Sequence, residues 1–287
     1  MQILINSLIS GLMLALVALG FHIIYSATKI FHIALGGTYV AGAYFFYWMH
    51  SYVGFLPAIV LTMLFSFILG LAIEGIVYNP LKNRANDQNI TLISSLGVYT
   101  ILVNLISMLA GNETKLFNAN INESKSIGSL IITHAQFYQL VWSVPIITIF
   151  LIILHKTNLG LKIRALSNNM ILAGVVGIKT QKVRYFVFGI GSIMAVSAAI
   201  LQAFDTGIDP YSGMSIILSA AVVVIVGGAY SFYGTLIGSF LLSVIQNTTE
   251  YFLTAQWKEP ITFTILIFIL LWRTEGILQF KNRSDEK

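Results

Sequence analysis

Residues 164–184 read RALSNNMILAGVVGIKTQKVR. The segment is too short and too interrupted to cross a bilayer, yet Met170, Ile171, Leu172, Val175, Val176 and Ile178 make it too apolar for a solvated linker. It is bracketed by Lys and Arg in a chain otherwise almost continuously apolar. Where this segment lies relative to the bilayer decides how the rest of the chain is arranged.

Of the 287 residues, 57% are hydrophobic and only 9% charged, with a mean hydropathy of +0.84. Soluble domains carry about 25% charged residues, so the composition is that of an integral membrane protein. Long apolar runs, rather than short alternating segments, argue for helices over a β-barrel. The chain has no cysteine, which excludes disulfides and thiolate metal sites. The first residues lack the positive n-region of a cleavable signal peptide.

At the ~20 residues a helix needs to cross the hydrocarbon core, nine windows qualify. They are about 3–25, 34–49, 56–78, 90–110, 137–154, 185–203, 215–228, 234–253 and 261–272. Windows 34–49 and 215–228 are short and read as broken or re-entrant helices, which sets the expected count at about 8–10 spans. The fold class is therefore all-α, a polytopic transmembrane bundle forming a single domain over residues 1–287.

Thirteen of the 16 basic residues fall in four groups: Lys29; Lys82 and Arg84; 156–184; and 273–287. Lys115, Lys125 and Lys258 lie elsewhere, among loops carrying Glu113, Glu123, Asp205, Asp209 and Glu259. The positive-inside rule places the four groups in the cytoplasm. Nine spans then alternate with the N-terminus outside and the C-terminus inside. On this reading 155–184 is the largest cytoplasmic loop between spans.

Ionisable residues within the windows form no catalytic constellation. Glu74, near the cytoplasmic end of its window, reads as reaching the interface or pairing with Lys82 or Arg84. His22 and His32 flank the first break without further ligands at metal spacing. Asn104, Gln202, Gln246 and Asn247 read chiefly as interhelical hydrogen-bonding groups. No P-loop, HExxH or GxSxG motif is present. The chain is not expected to be an enzyme, to bind a cofactor directly or to bind nucleic acid; any ATP it uses must be hydrolysed by another chain.

Glycines cluster at two breaks: Gly36, Gly37 and Gly42 after Lys29, and Gly227, Gly228, Gly234 and Gly238 further on. Glycine costs ~1 kcal/mol against alanine inside a helix. Its presence there means close helix packing or an interrupted helix lining a solute path; both readings stay open.

Within the opening segment Ser167 reads as an N-cap, with helix to about Val176 and Gly177 ending it. Met170, Ala173, Gly174 and Gly177 share one face; Leu172, Val175 and Val176 share another. So short a helix does not hold alone in water and needs a docking surface. An interfacial helix would present bulky residues to lipid, whereas small residues and two asparagines favour a cytosolic protein.

Several motifs carry a resemblance to a known family. LGLKIRALSNNMILAGVVGI (159–178) is similar to a loop of the form G-x-x-x-R-A followed by A-x-x-x-G-I. GGAYSFYGTLIG (227–238) resembles GG-x-x-S-x-x-G-x-x-x-G, IEGIVYNPLKNR (73–84) resembles E-x-x-x-Y-x-P-L-x-x-R, and LWRTEGIL (271–278) resembles R-P-x-G-L with Thr274 in place of proline. Together they resemble the permease subunits of ABC importers of the branched-chain amino acid (Liv) type, over nearly the whole chain. At the first break the family's N-F-A-H-G-E is replaced by His32, Ile33, Ala34, Leu35, Gly36 and Gly37, which widens the expected solutes to urea or other amino acids.

The resemblance implies a subunit that moves a small solute across a bacterial inner membrane. Its implied partners are a second permease subunit, a homologue of this one, two cytosolic ABC ATPases and an external solute-binding protein, within membrane lipid. Coupling to the ATPase is expected at Arg164, Ala165, Asn168, Asn169, Ala173, Gly174 and Gly177, and the translocation path at His32, Gly36, Gly37, Gly227 and Gly228. The rival reading is an ion-gradient-driven secondary transporter, which calls for ion-coordinating carboxylates near the midplane; the windows supply none.

Overall fold

In the computed structural model, residues 1–82, 88–117, 124–127, 130–229 and 231–272 are described. Arg84, Glu123, Tyr230 and the basic group 273–287 lie outside them. Each of the nine windows coincides with a helix. In order these are α1 (Gln2–Thr28), α2 (Ala34–Val53), α3 (Phe55–Ile73), the short α4 (Asn79–Lys82), α5 (Gln88–Ala110), α6 (His134–Lys156), the loop helices α7 (Asn158–Asn168) and α8 (Met170–Val175), α9 (Thr180–Thr206), α10 (Ser212–Gly227), α11 (Phe232–Phe252) and α12 (Lys258–Trp272).

Among the described residues, five helical segments are long and apolar enough to cross a bilayer alone: Gln2–Thr28, Phe55–Leu81, Asn89–Ala110, His134–Lys156 and Thr180–Thr206. A sixth arises if α10 and α11, bent by 120° at their junction, count as one span. The difference from nine lies in α2, diluted by Tyr, Trp, His and Ser, in α12, and in that bent pair.

The bundle is built around α1 and α9, whose most apolar stretches are 56% and 72% buried, against 22–28% for α3, α5 and α6 at the perimeter. From Ala15 to Ile24 every α1 side chain is buried. The perimeter helices expose Leu64, Ile68, Ile93, Ile101, Phe137 and Trp142, an outward apolar surface suited to lipid rather than water.

Where helix axes approach most closely, glycine replaces side chains. A Cβ on Gly20 would lie 2.6 Å from the Gly191 carbonyl oxygen, and one on Gly191 2.7 Å from that of Gly20, so α1 and α9 cross backbone to backbone. Such small-residue crossings bring helices together where no hydrophobic effect can.

One element has no counterpart in the sequence reading. Strands β1 (Ser124–Ile127) and β2 (Leu130–Thr133) form an antiparallel hairpin. Thr133 then starts α6 through a capping box with Gln136. The Gln2 side chain donates to the Ile131 carbonyl at 2.8 Å and accepts from its N–H at 3.1 Å, holding the hairpin to the start of α1.

Candidate functional site

The loop between α6 and α9 is two helices. Thr157 caps α7, accepting from Gly160 N–H at 3.1 Å, and Gly160 is required because a Cβ there would sit 2.5 Å from the Ile153 carbonyl oxygen. Ile163 and Leu166 of α7 are buried. Arg164 lies against the end of α6, donating to the His155 carbonyl at 3.5 Å, where a cation meets the negative end of the helix dipole.

Ser167 lies inside α7 and caps nothing. The expected N-cap is corrected to Asn169, extended at φ −156°, ψ 107°, whose side chain accepts from Leu172 N–H at 2.9 Å. The asparagine acts as cap because its short carboxamide reaches the N3 amide once the backbone leaves the helix.

Gly177 ends α8 as expected, with φ 87°. Gly177 N–H donates to Gly174 O and Ile178 N–H to Ala173 O, each at 3.0 Å; this pair of bonds is a Schellman motif. The same turn decides which face of α8 looks inward. Ile178 folds back over Ala173, and Ala173 is buried at 5% exposure. The outward face is therefore the bulky one: Ile171 is 82% exposed, Val175 80%, Val176 75% and Leu172 62%. The expectation that the small-residue face meets a partner is corrected for Ala173, which the loop itself covers. Asn168, Asn169, Gly174 and Gly177 remain exposed, and Arg164 and Ala165 are half-buried.

Glu74 is also corrected. It is buried rather than at the interface, and its Oε1 accepts from Arg184 Nε at 2.6 Å, with the two side chains 1% and 6% exposed; the expected partner Arg84 lies outside the described residues. Glu74 opens a five-residue π-helix, Glu74–Tyr78, at the end of α3. Single π turns of this kind are frequent at functional positions. Arg184, the last residue of the quoted stretch, lies in the second turn of α9.

The five residues expected along a translocation path lie in the interior of the chain. His32 is in the α1–α2 break, its Nδ1 2.8 Å from Tyr78 Oη. Gly36 faces α10, where a Cβ would lie 2.5 Å from the Gly213 carbonyl oxygen, and Gly37 faces Leu102 of α5. Gly227 packs on Gly234 across the α10–α11 bend, and Gly228 has φ 102°. None of the five lines the cavity described next.

That cavity, about 460 Å³, opens at the end of the bundle opposite α8. Met13, Val17, Val40, Ala199 and Ile216 form apolar wall; Gln202, Asp209, Ser215, Ser219, Lys258 and Glu259 supply polar groups. Its size lies in the range of small-molecule sites.

His22 is a functional residue of the packing that sequence reasoning left without a role. It is buried in α1, with Nδ1 2.5 Å from Thr235 Oγ1 and Nε2 3.0 Å from the Ala229 carbonyl, and its ring stacks on Phe232 at 4.2 Å. It ties α1 to the α10–α11 break. The clue in sequence was an imidazole within an apolar run, which needs partners when buried.

The chain is 27% identical to the high-affinity branched-chain amino acid transport system permease protein LivH of Escherichia coli K12, over 97% of this chain and 95% of that protein. It is equally similar to BraD of Pseudomonas aeruginosa, a permease protein of the same description, with the same coverage. A probable LivH permease of Methanocaldococcus jannaschii is 28% identical over 96% of this chain and 91% of that one. Among solved structures, PsaBC from Streptococcus pneumoniae in complex with Fab shares the fold, with a TM-score of 0.52 at 13% identity over 94% of this chain and 91% of the other. A family described as branched-chain amino acid transport system / permease component matches residues 3–270; the chain is a membrane-embedded transport permease of that family.

Proposed function

We propose that this chain is one of two permease subunits of an ATP-driven importer for branched-chain amino acids or a related small polar solute in the bacterial inner membrane. Its partners on this reading are a homologous permease, two cytosolic ATPases and an external solute-binding protein. The N-terminus lies outside and the C-terminus in the cytoplasm, following the basic groups. ATP is hydrolysed on the partner chains, and no cofactor binds here directly.

The observation that carries the reading is the exposed apolar tip of α8, Ile171, Leu172, Val175 and Val176, on a loop flanked by Lys and Arg. A surface of this kind on a capped, bracketed helix is suited to a groove on a cytosolic protein. Coupling is assigned to α8 with Arg164, Ala165, Asn168, Asn169, Gly174 and Gly177. The cavity at the opposite end receives solute, while His32, Gly36, Gly37, Gly227 and Gly228 shape the helix breaks that bound the path. ATP drives transport if the nucleotide-bound ATPase docks better to one state of the bundle than to the other.

The test is purification of the full chain from its native membrane, followed by uptake in proteoliposomes. An associated P-loop ATPase and ATP-dependent uptake of leucine, isoleucine, valine or urea are expected. Nucleotide-independent uptake driven by an ion gradient, with this chain alone, overturns the reading.

A further inference from the structure

Between the coupling loop and the bundle, the first two turns of α9 meet the π-helix through one continuous face. Gln181, Arg184, Tyr185 and Phe188 recur at i, i+3, i+4 and i+7, the spacing of one helical face. Gln181 donates to Asn79 Oδ1 at 2.9 Å, and Arg184 donates to Glu74 at 2.6 Å. The Tyr185 hydroxyl lies 3.2 Å from where a Cβ on Gly75 would be, and the Phe188 ring is 5.3 Å from that of Tyr78. Tyr78 in turn bonds His32 in the α1–α2 break. A row of polar and aromatic contacts thus runs from the end of the coupling loop, along the π-helix, to the break beside the bundle's central helix.

Stability alone does not account for the buried pair at its centre. Removing two charges from water costs about as much as their attraction returns, and a well-packed apolar pair holds helices at least as firmly. What the ion pair supplies is a fixed register: a charge-assisted bond with strict geometry that keeps one particular turn of α9 against one particular turn of the π-helix. α8 is joined to α9 by only 176–179, so a displacement of α8 reaches α9 at its first turn.

We propose that Glu74 and Arg184 are positioning residues for coupling: they carry the movement of α8 from α9 into the π-helix and the α1–α2 break. The Gln181–Asn79 bond is the outer part of the same link. This inference rests on the coupling role of α8 given above. The chain has no cysteine, so Ser215→Cys provides a single reporter thiol lining the cavity.

The full chain with its co-purified ATPase is placed in nanodiscs, and labelling of the reporter by a polar maleimide is timed with and without ATP. With the link intact, ATP changes the labelling rate at least fivefold. In Glu74→Met/Arg184→Leu, which removes both members of the pair, the ATPase still co-purifies but the ATP response falls below twofold. Asn79→Ala/Gln181→Ala removes only the exposed bond, so folding is preserved even if the apolar pair fails to insert; here the response falls at least twofold. An undiminished response in either folded double variant overturns the inference while leaving the importer reading intact. If the intact link shows no ATP response, or no ATPase co-purifies, the importer reading fails and this inference with it.

Discussion

Replacing the exposed tip of α8 with charge, as Ile171→Asp/Val175→Asp, isolates docking from folding. The two positions are 82% and 80% exposed and stand four residues apart, side by side on the helix. Full burial of a Val or Ile side chain is worth about 1.5–3 kcal/mol. Four-fifths of that is available to a partner at each position, about 1.2–2.4 kcal/mol per residue before ordering costs. Desolvating a carboxylate in an apolar groove adds to the loss. Neighbouring sites need not add, so the double variant should weaken ATPase binding by at least tenfold, or about 1.4 kcal/mol. The affinity of the nanodisc-embedded chain for the isolated ATPase measures this directly. Thermal unfolding should stay put, because neither side chain packs into the core. Ala173→Asp, at a buried position, should instead destabilise the loop. ATPase affinity within twofold of the parent for the double variant would refute the docking argument.

Four other outcomes follow from the packing. Gly174 is exposed, and a Cβ there would meet only Thr180 Cγ2, at 3.9 Å; Gly174→Trp should insert and unfold normally yet lower solute uptake per ATP hydrolysed in proteoliposomes. Gly36→Val drives a side chain onto the Gly213 backbone, and overpacking of this kind costs about 1–3 kcal/mol, visible as lower thermal stability in detergent. His22→Phe keeps the ring contact with Phe232 but leaves Thr235 and the Ala229 carbonyl without their partner. A loss of about 1–3 kcal/mol is expected in equilibrium unfolding. Glu74→Gln strands the Arg184 charge in the interior, and breaking such a pair costs about 3–5 kcal/mol, so the yield of folded protein should drop sharply and recover in Glu74→Met/Arg184→Leu.

Much of the architecture was legible because the information is local. Apolar runs, a dearth of charge and clustered Lys and Arg report the bilayer directly, and all nine windows became helices. Gly177 was recognisable as a helix end because only glycine sits easily at the φ of 87° that a Schellman turn requires. The hairpin at 124–133 was not legible: its strands are four residues each, too short for alternation to stand out. The N-cap slipped from Ser167 to Asn169 because both residue types cap equally well and only the backbone path distinguishes them.

The sequence by itself determined a helical membrane permease with a basic-flanked loop at 155–184 between its apolar helices, since hydropathy, charge placement and helix punctuation act over a few residues. Tertiary structure alone decided that α8 turns its bulky face outward. It also paired Glu74 with Arg184, 110 residues away, and His22 with Thr235, 213 residues away. Glycines at 20, 36 and 227 acquired their meaning from backbone neighbours on other helices. A buried charge announces that it needs a partner, but the partner's identity depends on how helices cross, and that is settled only when the whole bundle packs.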